Sequence, residues 1–115
     1  MPTTFFMPEP NLQGVWVNSG DASSSPAFKE NVSVFKFTLL NEGDKTAAFA
    51  ICDEASAQKT SLAGLRRGWM STACFSDGFA PANTRVISTV KYGVAALQDD
   101  GSWKVRDLAK VEYLP

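Results

Sequence analysis

Residues 32–40 (VSVFKFTLL) change character at every second position, and nothing else in the chain restricts its fold as tightly. In extended backbone, Phe35, Phe37 and Leu39 fall on one face and Val34, Lys36 and Thr38 on the other. A helix would spread the same side chains around its circumference and bury none of them cleanly. Residues 41–45 (NEGDK) supply turn chemistry, and 46–52 (TAAFAIC) resume the alternation with Ala47, Phe49 and Ile51. The two segments predict a β-hairpin.

A second hairpin follows from the last third of the chain. Residues 84–98 are rich in Val, Ile, Thr and Tyr, with Gly93 marking a bulge or bend. The DDGS at 99–102 is a strong hairpin turn. Residues 102–106 (SWKVR) begin the return strand, which continues at 111–113 after an irregularity near Asp107 and Leu108. Residues 13–18 read as a short strand around Val15, Trp16 and Val17, and 69–75 (WMSTACF) as another. Residues 19–26 and 76–83 read as loops. One helix is predicted over 53–67. Asp53 or Glu54 would start it, Arg66 and Arg67 occupy its last turn, and Gly68 lies just beyond. Its apolar stripe would be Ala55, Leu62, Leu65 and Trp69. The fold class is mainly β, a small antiparallel barrel or sandwich of about six strands with at most one helix.

The length of 115 residues and the 44% apolar, 20% charged composition fit one globular domain, residues 13–115, preceded by an arm. Residues 1–12 (MPTTFFMPEPNL) hold three prolines, which favour extended backbone and forbid a helix interior. Yet Phe5, Phe6, Met7 and Leu12 make this arm too apolar for a solvated tail. It lies either on its own body or on a neighbour. Residues 1–11 contain no basic residue, so the pattern of a secretion signal is absent and cytosolic synthesis is expected, with the final compartment unknown. No apolar run approaches the roughly 18 residues of a membrane span.

The chain has no histidine, and this narrows its chemistry. Histidine is the usual general base near neutral pH and the commonest metal ligand. Ser-His-Asp and Cys-His arrangements are impossible within one chain, and two cysteines cannot supply four soft zinc ligands. Cys52 and Cys74 read as reduced, buried small apolar residues; bonded, they would close a loop worth about 3 kcal/mol. The net charge of −1, from 11 basic and 12 acidic residues, gives no electrostatic ground for nucleic acid or membrane partners.

Each remaining candidate has a plainer explanation. Asp99 and Asp100 resemble a carboxylate pair but suit a turn. Ser23, Ser24 and Ser25 lack any nucleophile-activating pattern around them. Glu42, Asp44, Asp53, Glu54 and Asp77 could offer oxygen ligands, but without the spacing of a calcium loop. Arg66, Arg67 and Trp69 form the one basic-aromatic cluster, which helix-end electrostatics explain. Asn31-Val32-Ser33 matches a glycosylation acceptor by chance in a chain without a secretion signal.

The expectation is therefore a non-catalytic protein without metal or cofactor. It would dock on protein subunits, its own copies or a larger assembly, through Phe5, Phe6, Met7 and Leu12. Accessory components of large symmetric shells, such as virion cement or tail proteins, share this architectural plan. The alternative is a ligand-binding barrel with Trp16, Trp69, Tyr92 and Trp103 lining an aromatic pocket. An enzyme would instead need two or more of Asp53, Glu54, Asp77 and Lys91 in one cleft.

Overall fold

The computed structural model describes residues 3–16, 27–30, 32–39, 43–78 and 80–115. Among them lie nine strands and two helices. The first hairpin pairs β3 (Phe35–Leu39) with β4 (Thr46–Ile51), setting Phe35 opposite Ile51 and Phe37 opposite Phe49. Phe35, Phe37 and Phe49 are fully buried and Lys36 is exposed, as the alternation requires.

The two sheets share two long bent strands. One is β6 (Val86–Lys91) followed across Tyr92 by β7 (Gly93–Leu97); the other is β8 (Trp103–Asp107) followed across Leu108 by β9 (Ala109–Leu114). The β7–β8 half joins a six-stranded antiparallel sheet, in the order β1-β3-β4-β7-β8-β2, curled into a half-barrel. Here β1 is Thr3–Met7 and β2 is Val15–Trp16. The β6–β9 half joins β5 (Cys74–Phe75) in a three-stranded sheet. The bend sits at the irregular positions expected, with register shifts between Val94 and Ala95 and between Thr89 and Lys91.

The half-barrel encloses an aromatic core. The Trp16 ring stands edge-on to Phe35, Phe37 and Phe49 at centroid distances of 5.3, 4.9 and 5.4 Å. Such edge-to-face contacts are favourable beyond the area they bury.

Helix α1 (Ala55–Arg67) begins after Glu54 and ends at Gly68, whose φ of 87° is the left-handed conformation that favours glycine there. Of the expected stripe, Leu62, Leu65 and Trp69 pack on the core and Ala55 is exposed; the buried face also takes in Ala57, Gln58, Ser61 and Gly64. Gln58 donates from Nε2 to the carbonyls of Cys52 (2.8 Å) and Ile87 (3.0 Å), and its Oε1 accepts from Ile87 N–H (2.7 Å). The side-chain amide thus behaves as a short neighbouring strand and closes the outer edge of β6. Gln58→Leu should cost about 2 kcal/mol by stranding these groups, read as a lower denaturant midpoint at unchanged slope.

The expectation of a strand over 69–75 is corrected. Met70–Ala73 is a second short helix, α2, and only Cys74–Phe75 extends as β5. Trp69 and Met70 close one end of the core, with the Trp69 ring 5.8 Å from Phe35, and helical backbone brings both side chains inward together. No helix among the described residues is long and apolar enough to cross a membrane.

Candidate functional site

The arm is built as strand β1, hydrogen-bonded along β3 from Thr3 opposite Leu39 to Met7 opposite Phe35. Strand alternation divides its side chains. Phe5 packs 5.3 Å from Phe37 and 5.9 Å from Trp103, and Met7 is buried in the same core. Phe6 points to the other face and meets Phe28 edge-on at 5.9 Å. Beyond β1, the Pro8 carbonyl accepts a hydrogen bond from Trp16 Nε1 at 2.7 Å. Asn11 then fixes a tight turn, its Oδ1 accepting from the N–H groups of Gln13 and Val15. Leu12, on that turn, is 62% exposed, more than any other large apolar side chain among the described residues.

The four residues of the aromatic-pocket reading do not come together. Trp16, Trp69 and Trp103 are core residues, each 9% exposed or less, whereas Tyr92 is 58% exposed. Tyr92 instead lines a cleft of about 230 Å³ with Phe6, Lys36, Asp53 and Glu54. Two of the carboxylates considered for catalysis therefore share a cleft, but both are exposed neighbours on one loop. Asp77 is elsewhere, paired with Lys110 at 3.0 Å, and Lys91 ends β6 on the surface.

Two further grooves flank the small sheet. One, about 280 Å³, is lined by Leu65, Met70, Cys74, Phe75, Leu108 and Tyr113. The other, about 420 Å³, lies over β9 near Asp77, Pro81, Val90 and Lys110. Sequence reasoning missed the first groove because it treated 69–75 as one strand. The sequence carries no signal for it beyond the apolar Phe75 and Leu108, which the structure leaves exposed on its rim.

The charged candidates resolve into local structure. Asp100 Oδ1 accepts from Ser102 N–H at 2.9 Å, and these hydrogen bonds hold its carboxyl below the usual carboxylate range. Arg67 is exposed and 3.9 Å from Glu9, and with Trp69 buried there is no cation-and-stacking platform at Arg67. Among the described residues no three His, Cys, Asp or Glu side chains gather around a metal-sized site. Ser23, Ser24, Ser25, Asn31 and Glu42 lie outside the described residues, as does the side chain of Arg66.

Cys52 and Cys74 are free and buried. Burial pushes both thiols up to about 12, with the Glu54 and Asp53 carboxylates adding to the effect at Cys52. Neither is a nucleophile at neutral pH. An unfolded thiol ionises near 9 and these near 12, so the unfolded state gains charge first as pH rises. Their contribution to stability is complete below pH 9 and is lost between about 9 and 12. Stability measured by denaturation across that window should fall more steeply for this chain than for its Cys52→Ala/Cys74→Ala variant. At pH 7, a thiol reagent should label neither cysteine until the protein unfolds.

No family model, no curated protein and no solved structure matches this chain.

Proposed function

We propose that this chain is a non-catalytic protein that docks on other protein subunits through its arm, as an accessory component of a larger assembly of the virion cement or tail type. The observation that carries the reading is the construction of β1. It is an outermost strand, attached through one neighbouring strand, with an apolar side chain on each of its faces. Elements of this kind bind by adding main-chain hydrogen bonds to a sheet edge and placing alternate side chains in pockets. The chemistry of the described residues fits a binding role: both buried thiols are unreactive at neutral pH.

Solution mass by light scattering at roughly millimolar concentration, on the full chain and on one lacking residues 2–12, tests this. The expected result is a defined oligomer for the full chain and a folded monomer for the shortened one. Equal masses, together with binding to neighbouring subunits that is unchanged by the deletion, overturn the proposal.

A further inference from the structure

We infer that the subunit receiving the arm is a second copy of this chain, which takes β1 along its own β3 edge in place of its own β1. This rests on the reading that the arm is a docking element, and it names the acceptor.

The acceptor surface is visible because β1 occupies it. Along β3 it offers the backbone groups opposite Thr3–Met7, and behind them the rings of Phe37 and Trp103 that receive Phe5. A strand that fits must place apolar side chains at two alternate positions, matching Phe5 and Met7, and tolerate Phe28 against the residue between them. Thr3–Met7 of another copy meets every one of these requirements, because the contacts made between copies are those made within one.

The connection is suited to exchange. Asn11 onward is held by its turn: Gly14 N–H donates to Asn11 O at 3.1 Å, and Asn11 N–H donates to Val15 O at 3.0 Å. Up to Met7 the chain is held by β3. Between them lie Pro8, Glu9 and Pro10, whose prolines fix φ and keep this hinge extended. A hinge already extended loses little entropy when it spans to a neighbour. Two side-chain contacts cross it: the exposed Glu9–Arg67 pair at 3.9 Å, a weak restraint, and the hydrogen bond from Trp16 Nε1 to the Pro8 carbonyl at 2.7 Å, which exchange must break or re-form between copies.

Because the strand contacts are the same in both forms, concentration selects between them. The attached strand sees its own acceptor at an effective concentration on the order of millimolar, so exchange dominates when copies are crowded to that level. Reciprocal exchange closes as a two-fold dimer; one-way exchange continues into an open chain of copies.

The test uses the unaltered protein. Equal amounts of carbon-13-labelled and unlabelled chain are unfolded together and refolded at roughly millimolar concentration. Solution mass is then read alongside isotope-filtered NOEs between the Phe5 and Phe37 rings, 5.3 Å apart. The expected result is a dimer or higher species in which about half of the Phe5–Phe37 contacts join a labelled to an unlabelled chain, as random pairing dictates. An oligomer whose Phe5–Phe37 contacts all stay within one label overturns the exchange and leaves the docking role standing. A monomer at every concentration overturns the exchange.

Discussion

Trp16→Ala should destabilise the protein by about 3–5 kcal/mol, the largest loss expected from any single substitution considered. Trp16 is 2% exposed and touches the rings of Phe35, Phe37 and Phe49, so its removal opens a cavity at the centre of the aromatic cluster. It also anchors β2, a strand of two residues that cannot hold the sheet edge by backbone bonds alone. Its indole N–H reaches the Pro8 carbonyl and ties the linker of β1 to β2. A domain of this size has about 5–15 kcal/mol to lose, so the variant should unfold at a much lower temperature or fail to fold. Trp16→Phe separates the two causes. It keeps most of the ring packing and removes the hydrogen bond, so it should cost roughly 1–2 kcal/mol. Urea denaturation followed by circular dichroism measures both; a loss below 1 kcal/mol for Trp16→Ala would contradict this account of the core.

Gly93→Ala should cost about 3 kcal/mol, although the added group is a single methyl. Gly93 opens β7 where the long strand bends from one sheet to the other. A Cβ there would lie 2.3 Å from Phe49 Cζ and 2.8 Å from the backbone nitrogen of Ala109. Phe49 is fully buried and held between Trp16, Phe35 and Phe37, so it has no free space to yield. The clash predicts coupling. In a Gly93→Ala/Phe49→Leu double variant the ring is gone, and the loss should be smaller than the sum of the two single losses by roughly 1–2 kcal/mol. Additive losses would mean that the Ala109 backbone, and not the Phe49 ring, makes the close contact that matters.

The parts of the fold legible in the sequence are those whose cause is local. The alternation from Val34 to Leu39, the turn at 99–102, the bend at Gly93, the irregularity at Asp107 and Leu108 and the Gly68 helix end each need only neighbours along the chain. The misread parts depend on distant contacts. Residues 70–73 lie between Trp69 and Phe75 in a run that reads as a strand but form a helix, which brings Trp69 and Met70 into the core together. Hydrophobicity places Leu62, Leu65 and Trp69 of α1 on the core, but it gives no sign of Gln58, which serves the open edge of β6, 29 positions away.

The same division explains the site. That the arm would lie on a protein surface could be read from its apolar content. Which side chains turn inward could not, because the register of β1 against β3 is fixed by Phe5 meeting Phe37 and Trp103. Core packing is the default expectation for a tryptophan on or near a strand, and all three are core; which of them meet is not legible in the sequence. Trp16 and Trp103 are neighbours only once β2 pairs with β8.

That last pairing bears on how the molecule is made. Trp16 and Trp103 are 87 positions apart in the chain, whereas the β3–β4 and β7–β8 turns close over a few residues. Loop closure of that length costs entropy before any contact is gained, and chains dominated by such distant pairings fold in milliseconds to seconds. On this topology the two hairpins form early and β2 seats last, so stopped-flow refolding should show Trp16 reaching its native environment in the slowest step. A newly made chain would then hold a formed sheet with an unfinished seam, and its final closure would wait until residue 103 has been synthesised.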